Sequence, residues 1–216
     1  MSIKNIQSGL VGINNHLVRM AFLAEEQIRD SIRALEEKNV ELAEQVKSQD
    51  DIIDDLQRII EDQSIKLIAT QQPVASDLRA LFTTIKIVTD VERMADYAVD
   101  IARIAILLKD EDISHSIKEL KKMTDLVCRM LRESIDAYTA KDEEQAYEIT
   151  KMDDEVDNGL MNLVKFLYEA DSAVENHFKV SQLNFIGKYL ERIGDHATNI
   201  CEWTIYIVSG EYVELN

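Results

Sequence analysis

The feature that most constrains this chain is that it says something twice. The segment Val91-Glu92-Arg93-Met94-Ala95-Asp96-Tyr97-Ala98 returns as Leu190-Glu191-Arg192-Ile193-Gly194-Asp195-His196-Ala197. A second pair of echoes, Asp50-Asp51-Ile52-Ile53-Asp54 and Asp153-Asp154-Glu155-Val156-Asp157, stands at nearly the same offset. Two structural units in tandem follow, each carrying both motifs in the same order.

The unit is helical. From Ile6 to about Leu35 the apolar residues Leu10, Ile13, Leu17, Met20, Ala24, Ile28 and Ile32 recur at threes and fours, which predicts a long amphipathic helix. A second helix is expected from about Val40 to Thr70, stopped by Pro73, the chain's only proline. A third runs from about Ser76, which caps it or joins its first turn, to about Lys109. After a charged connector at 109–112, with Ser114 as the next capping candidate, the pattern restarts. A fourth helix ends near Ala140, a fifth spans about Glu143 to Glu169, and a sixth follows a polar stretch at 171–175 and closes at Gly210. The alternation and turn signals of strands are missing. The expectation is an all-α chain of six long helices forming two tandem, internally duplicated three-helix bundles, 1–110 and 111–216.

Charge narrows the partners. With 24 Lys and Arg against 41 Asp and Glu, the net charge is -17, a field that disfavours nucleic acid and anionic membrane and favours cations or basic protein surfaces. Met1-Ser2-Ile3-Lys4-Asn5 shows no apparent charged and apolar signal pattern, so a secretory signal is not expected. Its longest apolar runs, Ile104 to Leu108 and Trp203 to Val208, fall far short of the roughly 20 residues that span a bilayer. Direct membrane insertion is therefore not expected. Cys128 and Cys201 lack metal or redox spacing and read as buried free thiols of a reducing compartment.

The two motifs place carboxylates one helical turn apart: Asp50 with Asp54, Glu92 with Asp96, Asp153 with Asp157 and Glu191 with Asp195. Like charges at that spacing repel. If the second and third helices of each unit face one another, four carboxylates converge and can hold a cation. A helical wheel puts Glu92 and Asp96 inside an apolar stripe and the other pairs at stripe margins. Asp100 and Asn199, one turn further on, extend each ladder. Oxygen donors alone suit Mg, Mn, Ca or iron rather than soft metals. The plainer reading is that some of these acids only solvate a helix face, and that Arg93 and Arg192 pair with an acidic neighbour on the next helix. His16, His115, His177 and His196 add little. The chain has no Glu-x-x-His, no phosphate-binding glycine loop and no nucleophile elbow, so no catalytic residue is assigned and the chain is not expected to be an enzyme.

In these motifs, and in Gln72-Pro73-Val74-Ala75-Ser76-Asp77-Leu78-Arg79 and Asn199-Ile200-Cys201-Glu202, the chain resembles the PhoU family of phosphate-transport regulators over nearly its whole length. The resemblance implies two similar three-helix bundles and multinuclear iron or zinc sites on their surfaces. It carries the ligand role onto Asp50, Asp54, Glu92, Asp96 and Asp100 in one half, and onto Asp153, Asp157, Glu191, Asp195 and Asn199 in the other. The first copy has Met94-Ala95 where the family more often has Ile-Gly, and Asn199 removes one negative charge from the second. The resemblance further implies a cytoplasmic homodimer, peripheral to the membrane through protein contacts. Its implied role is an adaptor between the ATPase subunit of a phosphate ABC transporter and a sensor histidine kinase, keeping the phosphate-starvation response off. The alternatives are an accessory protein of another phosphate carrier and a metal-dependent phosphate-ester hydrolase.

Overall fold

The computed structural model describes residues 2–170 and 177–215. Its helices are α1 (Ser2–Glu37), α2 (Val40–Gln71), α3 (Ala75–Leu107), α4 (Ile117–Ala140), α5 (Glu143–Thr150), α6 (Asp153–Ala170) and α7 (His177–Ser209). No strand occurs among the described residues. The polar stretch expected at 171–175 lies outside them.

The helix ends follow from local chemistry. Asn39 accepts from the Leu42 amide at 3.0 Å and caps α2, and Asp142 accepts from the Gln145 amide at 2.9 Å and caps α5. Of the two expected serines, Ser76 takes the second of its expected places, within a first turn, and Ser114 is not the cap of α4. The N-cap of α3 is Val74, leaving Ser76 inside the first turn. The N-cap of α4 is Ser116, without a side-chain bond; Ser114 lies two residues earlier in a local turn, its amide donating to Asp112 at 3.0 Å. The long fifth helix is two helices. The chain turns at Lys151 and Met152, where the Met152 amide bonds the Ile149 carbonyl at 2.9 Å, and α6 restarts with Asp153, Asp154 and Glu155 in its first turn. Three acids there suit the positive end of the helix dipole.

Helices α1, α2 and α3 pack on one another, and in the second half α4 and α7 pack on each other and on both α5 and α6. The duplicated units are thus two bundles, the second with its middle helix broken. They are joined along α3 and α7, which pack side by side, and across α1 and α4. Buried side chains of both halves, from Ile13 and Leu17 to Leu190 and Ile193, form one continuous core. Cys128 and Cys201 are buried free thiols, and burial pushes each up to about 12. No described helix is long and apolar enough to cross a membrane.

The join carries polar links as well as apolar ones. A buried Thr84 hydroxyl on α3 shares a hydrogen bond with the Tyr138 hydroxyl of α4 at 2.7 Å. Tyr97 of α3 stacks on Tyr189 of α7 with ring centroids 5.5 Å apart. One oxygen of Asp90, a residue only 9% exposed, meets His196 Nδ1 at 2.9 Å and accepts from the Asn199 side-chain amide at 3.1 Å.

Candidate functional site

In the first bundle, α2 presents Asp50 and Asp54 to Glu92 and Asp96 of α3. Burial first, then Asp96 and Asp54, raises Asp50 above the ordinary carboxylate range. Burial and then Asp96 raise Glu92, with smaller contributions from Asp54 and Asp50 against the lowering effect of Arg93. The four acids therefore share one electrostatic neighbourhood. Arg93 lies along its edge, 2.9 Å from Asp96 and 3.5 Å from Glu92. Asp100 stands to one side, paired with Arg103 at 2.6 Å. Between them opens a cavity of about 290 Å³ lined by Asp50, Arg93, Asp96, Tyr97, Asp100 and Arg103.

The second bundle repeats the arrangement with tighter burial. Asp153 is raised to about 6, by burial first and then by Asp195, Asp157 and Glu191. Asp195 is also raised, by burial and then by Glu191, while Arg192 and Lys188 oppose the shift. Arg192 bonds Asp195 at 3.0 Å, and Lys188 pairs with the other face of Glu191. Both motif arginines thus bind their own helix three residues on, not the neighbouring helix as the plainer sequence reading had it. The helical wheel is corrected at two points too: Glu191 is as deeply set as Glu92, at 12% and 16% side-chain exposure, and Asp96, at 40%, lies further out than Asp195, at 26%.

Two oxygens of the second site, Asp153 Oδ1 and Glu191 Oε2, are buried without a hydrogen-bond partner, the latter with the Arg192 guanidinium 3.8 Å away. Buried carboxylate oxygens left so are costly, and a cation would satisfy them. Gly194 makes room for this: a Cβ there would stand 3.1 Å from Asp153 Oδ1. Ala95 holds the matching place in the first copy, where no such orphaned oxygen occurs among the described residues. The donor set therefore fits a hard cation at Asp153, Asp157, Glu191 and Asp195 in particular. Among the described residues, no three His, Cys, Asp or Glu side chains already stand in metal-holding geometry.

Asn199 is placed away from these acids, donating to Asp90 across the join between bundles. Asp90 escaped the sequence reading altogether, and His196, set aside there as adding little, is its partner. The one signal for Asp90 was an acid between the buried Val88 and Val91 on α3, which demands a partner.

Comparison with known proteins bears out the tandem helical fold. The PhoU domain matches residues 17–105 and again 120–204. The chain is 46% identical over 220 residues to the phosphate-specific transport system accessory protein PhoU homolog of Clostridium acetobutylicum, covering 100% of both chains. It is 35% identical to that of Pseudomonas aeruginosa, over 93% of this chain and 84% of the relative. The crystal structure of PhoU from Pseudomonas aeruginosa superposes with a TM-score of 0.88 at 32% identity, over 95% of this chain and 99% of that one. The phosphate transport system regulatory protein PhoU from Streptococcus pneumoniae superposes with a TM-score of 0.89 at 27% identity, over 97% and 99%. With both bundles matched and the duplicated carboxylate motifs in place, the chain belongs to the PhoU family.

Proposed function

We propose that this protein is an accessory protein of phosphate-specific transport that acts as a negative regulator of the phosphate-starvation response. In this reading it is an adaptor, cytoplasmic and peripheral to the membrane, that engages the ATPase subunit of a phosphate ABC transporter and a sensor histidine kinase, and works as a homodimer. The observation that carries the reading is full-length similarity to proteins named as accessory to that transport system. The -17 charge supports protein partners with basic surfaces.

Asp50, Asp54, Glu92 and Asp96 would hold a cation in the first bundle, and Asp153, Asp157, Glu191 and Asp195 in the second. A hard metal ion such as iron, Mn or Mg, or zinc, would supply positive charge that offsets the clustered acids. The chain's own part is to hold these acids on paired helices, α2 against α3 and α6 against α7, so that the relative position of the helices and the state of the site are linked. Arg93, Lys188 and Arg192 balance the same acids from outside. A partner's affinity then depends on the site only as far as the partner prefers one arrangement of the helices. No residue has a catalytic role in this scheme.

The test is transcription of phosphate-starvation genes in phosphate-rich medium, in cells lacking the protein and in cells given it back. Genes that switch on in its absence and off on its return support the regulatory reading; genes indifferent to it reject that reading and leave the family assignment standing. Co-purification with the transporter ATPase and with the kinase, each tested alone, separates the two arms of the adaptor.

A further inference from the structure

The residues that follow α7 fold back onto the join between the bundles. Gly210 turns the chain with φ +83, passing close against the Arg79 guanidinium of α3. Tyr212 then lies on Trp203, ring centroids 5.2 Å apart. Its hydroxyl donates to Glu202 Oε2 at 3.2 Å, and the Leu215 amide donates to Glu202 Oε1 at 2.6 Å. Glu202 is only 4% exposed. Both hydrogen bonds to its carboxylate among the described residues come from this segment.

The segment is a poor electrostatic match for what it covers. It brings Glu211 and Glu214 to the surface beside a buried carboxylate, and Glu202, Glu214 and Asp90 all act on Tyr212. Neither Glu211 nor Glu214 forms an ion pair among the described residues. The cations nearby are turned to aromatic faces: Arg79 over Tyr206 at 5.6 Å, and Lys86 over Phe82 and Trp203 at 5.7 and 5.9 Å. Tyr212 itself stays 50% exposed. The buried carboxylate is thus held by a hydroxyl and an amide with no ion-paired cation among the described residues, and a cation standing where the strap carries Glu211 or Glu214 would add attraction in place of like-charge repulsion.

We propose that residues 211–215 are a displaceable strap over a docking groove formed by α3 and α7, and that the groove's occupant is an extended basic segment of a partner protein. The strap displays the binding mode: an aromatic side chain on Trp203, and donors to Glu202. The partner's Lys or Arg stands beside Glu202 at the places where the strap carries Glu211 and Glu214. The strap competes with that segment, so its release raises the groove's affinity in proportion to the fraction of time it was closed. This surface is independent of the carboxylate sites and of whether they hold metal.

Trp203 is the chain's one tryptophan, so its fluorescence reports the groove. The probe is an acetylated, amidated peptide of residues 210–215 carrying E211K and E214K, with the unaltered peptide as comparison. Each is titrated into the full chain and into its Tyr212→Ala variant, both checked for helix content by circular dichroism. The basic peptide is expected to saturate the Trp203 signal, about tenfold more tightly in Tyr212→Ala than in the wild type if the strap is closed nine-tenths of the time. The unaltered peptide binds more weakly, and adding Glu202→Gln removes the difference between peptides. Tyr212→Phe, which keeps the ring and loses the hydroxyl, gives a smaller step in the same direction and serves if the alanine variant misfolds. Equal affinity for the two peptides, or no saturable binding to the strap variants, overturns the groove. Equal affinity in wild type and strap variants overturns the strap.

Discussion

Gly194 of α7 lies directly under the carboxylate of Asp153, so close that a Cβ on residue 194 would come within 3.1 Å of Asp153 Oδ1 and 3.4 Å of Val156. That contact binds the start of α6 to the middle of α7 at the heart of the second acidic site. Gly194→Ala is expected to move the Asp153 carboxylate outward. The fold should hold: residue 194 has no left-handed backbone to strain, and alanine's helix propensity, about 1 kcal/mol better than glycine's, offsets the crowding. The check is a pair of measurements, chemical denaturation and metal binding. Weakened cation affinity at the second site with stability within about 1 kcal/mol of wild type is the expected outcome; unchanged affinity removes Gly194 from the site.

The four helices that bear carboxylates were legible because their apolar spacing is regular and the motifs occur twice. The break between α5 and α6 was not. Thr150, Lys151 and Met152 contain neither proline nor glycine, and the apolar positions on either side keep helical spacing, so nothing in the local pattern marks the turn. Asn199 looked like a rung of the second ladder because sequence shows spacing along one helix. Its partner Asp90 is set by how the two bundles dock, which no single-helix pattern contains. The strap was hidden for the same reason: Glu202 reads as an ordinary helix acid until Tyr212 and Leu215 are seen to close over it.

The raised carboxylates predict a pH dependence of definite sign. Asp153 moves from an ordinary value of 3.8 to about 6 in the folded chain, so between those values the folded state holds more proton than the unfolded one. Its contribution to stability is full below about pH 4 and is lost as pH rises through about 6. Asp50, Glu92 and Asp195 are shifted in the same direction. Asp153→Asn is therefore expected to be more stable than wild type at pH 7 in metal-free buffer, by on the order of 1 kcal/mol once solvent screening of a half-buried group is allowed for. The advantage should vanish near pH 4. Urea denaturation at the two pH values decides it, and a variant less stable at pH 7 would contradict the assignment.

Cation binding should reverse that penalty. A ligand that binds only the folded chain stabilises it by about 2.7 kcal/mol at a hundredfold excess over its Kd. Adding Mn(II) to metal-free protein is expected to raise the thermal midpoint, and the combined Glu191→Gln and Asp195→Asn variant should lose most of the rise. Glu92→Gln with Asp96→Asn should lose less, because the orphaned buried oxygens belong to Asp153 and Glu191. An identical loss in both variants would mean that burial of those oxygens does not set the order of the sites.

The join between bundles offers a sharper test, because one oxygen of Asp90 receives both His196 and Asn199. These bonds cross from α3 to α7, one residue from Asp195 and two from Glu92, so they tie the two acidic sites to the docking of the bundles. Asp90→Ala removes an acceptor from two donors in a nearly closed space, and hydrogen bonds to a charged group contribute about 1.5–3 kcal/mol. A loss of that order is expected in urea denaturation. His196→Ala alone should cost less, since Asp90 keeps Asn199. If the contact is as direct as its 2.9 Å separation indicates, the double variant will be less destabilised than the sum of the singles, with a coupling of about 0.5–3 kcal/mol. Strict additivity would show that Asp90 and His196 do not act as a pair across the join, and that Asp90 merely fills its position.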